Sequence, residues 1–260
     1  MKNGISQFKE LAIISARKAG EILKENFGKV KNIKSKGKTQ LVSNVDLEAE
    51  KVIIENIKEH FPEHSILSEE NPQLNNSEYK WIIDPLDGTH NFVKNIPIFG
   101  TSIALEYKNE VVLGVIYFPL DGRLYWAEKG KGAYLNGKRL KVSDRKLSSA
   151  TCVYDSSIRY SPEEMSVVLK NLSTKVFNIR MFGSTAEHLA LLAEGRIDLD
   201  IEFNDQPWDF AGGALIVKEA GGEFTDFKGN PWHLKMPNYL ASNGIVHQEV
   251  LEIIQGSLRK

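Results

Sequence analysis

Residues 80 to 143 contain four apolar segments that have the period of β-strands and are separated by turn signals. The segments are "WIID", "TSIALEY", "VVLGVIYF" and "RLYWAE", and the turn signals include "KNE" and "LDG". Strand-like segments joined by short turns predict an antiparallel sheet. Asn136-Gly137 in "LNGKRL" adds a predicted hairpin turn of type I′.

Two amphipathic helices are predicted before this sheet. Residues 5 to 27 carry apolar side chains at helical spacing, and Gly28 follows as a C-cap. Residues 46 to 60 repeat the pattern and end before Phe61-Pro62, because the residue before a proline disfavours helical backbone.

The second half of the sequence alternates between strand and helix patterns. Capping boxes are predicted at Ser161 to Glu164 and at Ser184 to Glu187, and Gly195 ends the second of these helices. The predicted order is a strand at "ATCVY", the helix after Ser161, a strand at 175 to 180, the helix after Ser184, the strand "DLDIEF", a helix from Asp209 to Ala220, the strand "GEFTDF" and a helix near 247 to 256. We therefore expect an α+β fold, with one half at residues 1–145 and the other at 146–260 in one compact unit.

The charge balance excludes a general attraction to nucleic acid or to an anionic membrane. Lys and Arg number 33, and Asp and Glu number 34, so the net charge is −1. No stretch approaches the roughly 20 apolar residues of a membrane span, and the N-terminal residues lack the apolar core of a signal peptide. Cys152, the only cysteine, excludes an internal disulfide and fits a reducing compartment. We expect a cytoplasmic protein.

Acidic residues at the ends of apolar segments predict a metal site. Asp84 and Asp87 follow a strand-like run in "WIIDPLDGTHNFV", and Glu69 and Glu70 end "SILSEE". Asp209 lies in "NDQPWDFAGG". Taken singly, each has an ordinary explanation as a turn residue, a surface charge or a helix cap. Together they fit a hard cation better, because Mg²⁺ prefers oxygen ligands such as carboxylates.

Two longer segments, "DPLDGTHNF" and "PWDFAGGALIVKEAGG", resemble the signatures of the inositol monophosphatase family of magnesium-dependent, lithium-sensitive phosphatases. The supporting segments "LVSNVD", "SEE" and "RMFGSTAEH" occur in the expected order, so the resemblance covers nearly the whole chain. It implies a layered αβαβα sandwich, a homodimer and inhibition by Li⁺. It also implies hydrolysis of inositol phosphates with two to three Mg²⁺ ions in each active site.

The resemblance assigns ligands to these ions. Glu69, Asp84 and the carbonyl of Leu86 look like the ligands of one Mg²⁺, and a third, weaker ion is expected beside Glu69. Asp84, Asp87 and Asp209 look like the ligands of the second ion. A bridging carboxylate can hold two metal ions about 3.5–4 Å apart, so that one activates water and the other stabilises the leaving oxygen.

The predicted catalytic residues are Asp46, Glu69 and Thr89. Asp46 and Thr89 look like the pair that orients the attacking water, although Asp46 also fits the N-cap of the helix that follows it. Backbone N–H groups at Gly88 and Thr89 are expected to meet the phosphate. The predicted substrate contacts are Glu69, Leu86, Asp87, Gly88, Thr89, Gly183, Ser184, Thr185, Glu202 and Asp209.

The alcohol part of the substrate is expected at Gly183, Ser184, Thr185 and Glu202, which occupy the polyol-contacting positions of the family. Ser184 also fits a plain helix cap. Glu202 can accept O–H bonds and would repel a second phosphate, which favours inositol phosphate over a bisphosphate.

The chain departs from the family pattern at two places. His90 stands where a small or polar residue is usual, and Ser35 stands at a position that is lysine in the family, between Lys34 and Lys36. One of the lysines of the 29–38 loop could approach the third metal ion. The remaining histidines show no metal-ligand spacing, so surface or helix-face positions are expected for His60, His64, His188, His233 and His247.

Three alternative functions are open. A haloacid-dehalogenase-type phosphatase has its two aspartates two residues apart, whereas Asp84 and Asp87 are three apart. A fructose-1,6-bisphosphatase, or an enzyme with both specificities, would use Arg159 and Arg180 for a second phosphate. A regulatory protein that binds the transcription machinery is the third alternative.

Overall fold

The computed structural model of the chain describes residues 4–29, 33–36 and 40–259. The helices are α1 (Gly4–Asn26), α2 (Asn44–His60), α3 (Thr89–Val93), α4 (Pro162–Ser173), α5 (Thr185–Ala193), α6 (Pro207–Glu219) and α7 (His247–Leu258). The strands are β1 (Ile33–Lys36), β2 (Gln40–Ser43), β3 (Ser65–Ser68), β4 (Tyr79–Asp87), β5 (Gly100–Tyr107), β6 (Glu110–Phe118), β7 (Arg123–Glu128), β8 (Gly132–Leu135), β9 (Lys138–Arg139), β10 (Thr151–Tyr154), β11 (Asn178–Arg180), β12 (Leu199–Glu202), β13 (Glu223–Thr225) and β14 (Tyr239–Ser242).

The larger sheet has seven strands in the order β3-β4-β5-β6-β7-β8-β9. Every neighbouring pair is antiparallel except β3 and β4, which are parallel. The antiparallel sheet predicted between residues 80 and 143 is therefore present. Asn136 and Gly137 both have positive φ, at 47° and 82°, as the predicted type I′ turn requires.

The second sheet has five strands in the order β11-β10-β12-β14-β13 and is mixed. Strand β12 lies at its centre, parallel to β10 and antiparallel to β14. Leu199 and Ile201 of β12 pack into the apolar core with α4 and α7. Because side chains alternate along a strand, Asp200 and Glu202 lie on the opposite face, toward α5 and α6.

The helices and the two sheets form five layers. Helices α1 and α2 cover one face of the seven-stranded sheet, and α5 and α6 lie between the two sheets. Helices α4 and α7 cover the outer face of the five-stranded sheet. The fold is the layered αβαβα sandwich of the α+β class. No helix in the described ranges is both long and apolar enough to cross a bilayer.

The middle layer approaches the larger sheet at two glycines. A Cβ atom added to Gly114 on β6 would lie 2.4 Å from the carbonyl oxygen of Gly212 on α6, well inside van der Waals contact. The backbones of strand and helix therefore touch directly. Since Asp209 lies one turn before Gly212, this contact fixes the start of α6 against the sheet that carries Asp84 and Asp87.

Three predicted helix starts need correction. Helix α2 begins at Asn44, so Asp46 lies inside the first turn and is not its N-cap. Ser161 precedes α4, but its side chain makes no capping hydrogen bond; it accepts one from Asn204, so no capping box forms there. Helix α6 begins at Pro207, and a capping box between Gln206 and Asp209 replaces the predicted start at Asp209.

Candidate active site

A β-bulge explains the three-residue spacing of Asp84 and Asp87. Asp84 pairs with Ser102 and Asp87 pairs with Gly100, so three steps on β4 match two steps on β5. In a regular strand, residues three apart point to opposite faces, and one extra residue restores a common face. Both aspartates line the same cavity, and both are buried.

This cavity has a volume of about 840 Å³. All eleven of the predicted substrate and metal residues line it. Acidic side chains dominate the described lining, and Arg159 is the one arginine or lysine among them. The acidic residues are Glu69, Asp84, Asp87, Asp155, Glu202, Asp205 and Asp209.

The central carboxylates are held in an environment that opposes their negative charge. Burial raises the pKa of Asp84 well above its usual range, and the charges of Glu69, Asp87 and Asp209 raise it further. Burial likewise raises the pKa of Asp87 to about 6 and that of Asp209 to about 7. A hard divalent cation relieves this repulsion and accepts carboxylate oxygens, so these residues fit Mg²⁺.

Hydrogen bonds fix the orientation of each central carboxylate. Asp84 accepts from the N–H of Leu86 at 3.0 Å, and Asp209 accepts from the N–H of Gln206 at 2.7 Å. Asp87 accepts from the hydroxyl of Ser184 and from the N–H groups of Thr185 and Ala186 at the start of α5. The two halves of the chain therefore meet at this site, because Asp87 ends β4 while its donors lie at the start of α5.

Glu69 follows directly after β3, and a buried residue of α2 orders the segment around it. Glu50 accepts hydrogen bonds from the N–H groups of Glu70 at 2.9 Å and Asn71 at 3.1 Å. Glu50 is fully buried, so its carboxylate acts as a fixed anchor for this loop. The sequence offered no signal for this role beyond a glutamate in a helical pattern.

Thr89 begins α3, beside the carbonyl predicted to bind metal. Its hydroxyl lies 2.9 Å from the carbonyl oxygen of Leu86 and 3.4 Å from a carboxylate oxygen of Asp46. Asp46 is buried behind Thr89 and is not part of the cavity lining. Gly88 has φ of 85°, and a Cβ there would lie 2.7 Å from the carbonyl oxygen of Ile98, so the turn admits glycine alone without rearrangement.

Beside Asp87, Gly183, Ser184 and Thr185 lead into α5 and form a second wall of the cavity. Asn91 of α3 donates to the carbonyl oxygens of Phe182 at 2.7 Å and Gly183 at 3.2 Å, which fixes this wall to the "DGTHNF" segment. The hydroxyl of Ser184 accepts from the N–H of Glu187 as predicted, but the carboxylate of Glu187 pairs with Arg123. Only the first half of the predicted capping box is therefore made.

Thr185, Asp205 and Tyr239 form a polar group beside this wall. The hydroxyl groups of Thr185 and Tyr239 lie 3.3 Å and 3.2 Å from the same carboxylate oxygen of Asp205. Glu202 lies nearby on β12, and burial raises its pKa well above the usual range. Carboxyl and hydroxyl groups of this kind accept and donate hydrogen bonds to a polyol.

Several lining residues were not identified from the sequence. Asn91 lies inside the "DPLDGTHNF" segment, and Asp155 follows the strand β10 as Asp84 follows the apolar run of β4. His188 was expected at the surface or on a helix face without a ligand role, but it is buried and contacts Glu202. The alternation of "DLDIE" was a usable signal, because it places Asp200 and Glu202 on one face.

Of the two arginines considered for a second phosphate, one lies at the cavity and the other does not. Arg159 lines the cavity, whereas Arg180 is exposed and donates to Asn178 and to the carbonyl of Ile179 outside the lining. The lysine side chains of the 29–38 loop, including Lys34 and Lys36 beside Ser35, lie outside the described residues. Cys152 is fully buried.

Comparison with known proteins gives the same family throughout. The model of the inositol monophosphatase family matches residues 5–259. A protein of Aquifex aeolicus named fructose-1,6-bisphosphatase/inositol-1-monophosphatase is 41% identical over 256 residues, which cover 96% of this chain and 96% of that protein. The Nus factor SuhB of Escherichia coli is 36% identical, with 95% of this chain and 96% of that protein covered.

Solved structures of similar proteins have the same fold. An inositol monophosphatase (IMPase) of Thermotoga maritima superimposes with a TM-score of 0.90 at 34% identity, covering 96% of this chain and 97% of that one. The inositol monophosphatase of Anabaena gives a TM-score of 0.88 at 33% identity, covering 97% and 96%.

Proposed function

Because the chain belongs to the inositol monophosphatase family, we propose that it is a magnesium-dependent phosphatase that hydrolyses inositol monophosphate to inositol and phosphate. The observation that carries this proposal is the group of three buried carboxylates, Asp84, Asp87 and Asp209, on the wall of one cavity. Negative charges on these carboxylates repel one another, and a bound divalent ion would offset that repulsion.

In this proposal the metal ligands are Glu69, Asp84, the carbonyl of Leu86, Asp87 and Asp209, with two to three Mg²⁺ ions. When bound, the ions neutralise phosphate charge and make water a better nucleophile. Ser184 and the start of α5 hold the carboxylate of Asp87 in place, and the capping box of α6 holds that of Asp209. The ligands are therefore oriented before any ion or substrate arrives.

Thr89 and Asp46 would accept the proton of the attacking water in turn. Thr89 accepts a hydrogen bond from water at its hydroxyl oxygen while donating its own proton to Asp46 or to the carbonyl of Leu86. Asp46 is the group with the capacity to accept that proton, because a carbonyl cannot take it at neutral pH. In this proposal the N–H groups of Gly88 and Thr89 orient the phosphate.

The part of the cavity that Thr185, Glu202 and Asp205 line favours a substrate with hydroxyl groups over one with a second phosphate. Glu202 and Asp205 present carboxyl groups there, and Thr185 adds a hydroxyl. An additional phosphate dianion here would meet carboxyl groups and no lysine or arginine other than Arg159 among the described lining residues, whereas the hydroxyl groups of inositol find hydrogen-bond partners. This is the reason for proposing inositol monophosphate as the preferred substrate.

Comparison of specificity constants tests the substrate assignment. We expect kcat/KM for inositol 1-phosphate to exceed that for fructose 1,6-bisphosphate by at least about tenfold, which corresponds to about 1.4 kcal/mol in transition-state binding. The Asp209→Asn variant serves as the control, because it must abolish both reactions if one site performs them. A higher constant for the bisphosphate, or full activity with a chelator present, would refute the proposal.

Fructose 1,6-bisphosphate is the second candidate substrate, and one observation favours it. Arg159 lines the cavity and carries a positive charge that a second phosphate could meet. The Aquifex relative is named for both activities. Arg159→Gln should therefore reduce activity on the bisphosphate more than activity on inositol 1-phosphate if this candidate applies.

The reaction type, a role in transcription, the oligomeric state, lithium inhibition and the cellular location complete the proposal. Membership of the inositol monophosphatase family supports attack by water over a haloacid-dehalogenase-type reaction. The Escherichia coli relative is named a Nus factor, so a role in transcription is a third candidate. A homodimer, inhibition by Li⁺ and a cytoplasmic location are proposed from the family, and sedimentation analysis together with a lithium titration of activity would test the first two.

A further inference from the structure

A second group of ligand-type side chains lies at the inner end of the cavity. His188 projects from α5, and Asp200 and Glu202 project from the same face of β12. Their side chains are 2%, 0% and 3% exposed, so all three are removed from solvent. None of the three belongs to the predicted magnesium ligands.

The nitrogen Nδ1 of His188 holds the group together. It lies 2.6 Å from Oε1 of Glu202 and 3.3 Å from Oδ1 of Asp200. One ligand atom from each residue can be chosen such that all three lie within 4.8 Å of one another. A single point between them is thus within reach of one imidazole nitrogen and two carboxylate oxygens.

Asp200 gives an independent reason to expect a bound ion. It is fully buried, yet neither of its carboxylate oxygens makes a hydrogen bond of good geometry among the described residues, and its polar neighbours are Nδ1 of His188 at 3.3 Å and the carboxyl group of Glu202. Nε2 of His188 also lacks a partner there. A buried carboxylate without donors is costly, by several kcal/mol when charged, and native proteins satisfy such groups with a hydrogen bond, a proton or a cation.

The charge balance of the group favours a divalent cation. When both are ionised, the two carboxyl groups carry two negative charges, and an imidazolium at His188 would offset only one of them. No lysine or arginine among the described residues forms an ion pair with Asp200 or Glu202. A divalent ion offsets both charges and leaves His188 neutral, which is the form that binds metals.

We propose that His188, Asp200 and Glu202 bind a divalent transition-metal ion at a site separate from the magnesium ligands. One imidazole and two carboxylates suit Zn²⁺ or Co²⁺ better than Mg²⁺, which prefers oxygen ligands and water. With metal–ligand bonds of about 2.0–2.1 Å, tetrahedral ligand atoms lie about 3.3 Å apart. The 3.3 Å contact of Asp200 already matches this spacing, and the 2.6 Å contact of Glu202 would lengthen to it when the ion binds.

The proposed ion would change the polyol wall of the cavity. His188 and Glu202 line the cavity, whereas Asp200 lies behind them. Three protein ligands would leave one position of a tetrahedral ion free for water or a substrate hydroxyl. A bound ion there replaces the carboxylate of Glu202 as the group that a substrate hydroxyl meets.

Cobalt binding to the full-length protein tests the site without measuring activity. The metal-free protein is titrated with Co²⁺ in excess Mg²⁺, which occupies the hard oxygen site, and visible absorption and equilibrium dialysis are recorded. We expect one Co²⁺ with the intense absorption of a four-coordinate ion. His188→Gln and Asp200→Asn should each weaken binding at least about tenfold.

Two control variants separate this site from the magnesium ligands and from other histidines. Asp209→Asn removes a predicted magnesium ligand, and His233→Gln removes an exposed histidine; both should bind Co²⁺ as the unmodified protein does. Equal Co²⁺ affinity in Asp200→Asn and the unmodified protein, or loss of the cobalt spectrum in Asp209→Asn, would overturn the proposal.

X-ray absorption of the unmodified zinc-loaded protein keeps the test decisive if a variant fails to fold. A spectrum with one imidazole nitrogen and the remaining ligands oxygen is the expected result. Coordination by oxygen alone would assign the ion to the aspartate cluster and overturn the proposal. Failure of inositol phosphate hydrolysis would leave both metal measurements unchanged, so the two proposals fail independently.

Discussion

The hydroxyl group of Thr89 lies 3.4 Å from a carboxylate oxygen of Asp46, across 43 residues of sequence. This contact joins the start of α3, at the edge of the cavity, to the first turn of α2 behind it. The same hydroxyl has a nearer acceptor, the carbonyl oxygen of Leu86, at 2.9 Å. A hydroxyl has one proton, so binding of a cation to that carbonyl would leave Asp46 as its acceptor.

Removal of the Thr89 hydroxyl should therefore reduce turnover and leave the fold intact. Thr89→Val keeps the shape of the side chain and removes the donor, and we expect kcat to fall by about 10²–10⁴, the usual contribution of a positioned proton-transfer group. Thr89→Ser should retain most activity. Steady-state kinetics of both variants, with circular dichroism as a check on folding, makes this comparison. Equal rates for the two variants would exclude the relay.

Neutralisation of Asp84 should have opposite effects on activity and on stability. Asp84 is buried beside three other carboxylates, and their repulsion opposes folding when no metal ion is present. Asp84→Asn should abolish turnover. In the metal-free protein it should raise the free energy of unfolding by about 1–2 kcal/mol, and the thermal midpoint should rise with it.

Thermal unfolding with and without Mg²⁺ measures this effect. In the unmodified protein, an ion at 100 times its Kd stabilises by about 2.7 kcal/mol, and this gain should be absent in Asp84→Asn. Asp144→Asn, at an exposed position, is the control and should keep the magnesium response. A full magnesium response in Asp84→Asn would remove Asp84 from the ligand set.

Local patterns were sufficient to predict the elements that carry the site. The strand period and the turn residues predicted the antiparallel sheet, and the acidic segments predicted that Glu69, Asp84, Asp87 and Asp209 meet. The bulge between Asp84 and Asp87 was not predictable, because it depends on the register with β5. Short strands such as β3 and β14 were also missed as strands, since four residues carry little periodicity.

Contacts between distant segments account for most of what sequence reasoning missed. His188 meets Asp200 and Glu202 only after α5 packs against β12, and no fixed spacing encodes that contact. Asn91 reaches the carbonyls of Phe182 and Gly183 from 91 residues away. Residues of this kind are held by tertiary packing, so single-sequence patterns do not identify them.

The contact between β6 and α6 should be intolerant of even one methyl group. Gly114→Ala would place a Cβ atom 2.4 Å from the carbonyl oxygen of Gly212, which neither backbone can avoid without moving. We expect a loss of about 2 kcal/mol or more in the free energy of unfolding, and lower activity because α6 carries Asp209.

Gly256→Ala is the matched control. It lies on the exposed side of α7 with no atom within 4 Å, and should stabilise by up to about 1 kcal/mol. Urea unfolding of both variants should give changes of opposite sign; a change of the same sign would contradict the packing argument.

His247 should make the stability of the protein depend on pH below neutrality. Burial lowers the pKa of its imidazole from 6.5 to about 4, and the ring lies between the hydroxyls of Ser242 and Thr225, each at 2.9 Å. The unfolded chain therefore binds this proton at a higher pH than the folded chain does. The contribution to stability is complete above pH 6.5 and is lost as the pH falls toward 4, by at most about 1.4 kcal/mol for each pH unit.

The buried carboxylates around Asp84 act in the opposite direction, so the quantity to compare is the difference in free energy of unfolding between the unmodified protein and His247→Gln. We expect the free energy of unfolding of the unmodified protein, measured with urea between pH 7 and pH 4, to fall more steeply than that of His247→Gln. His233→Gln, at an exposed position, should follow the unmodified protein. Parallel curves for all three proteins would show that His247 is not the group that titrates.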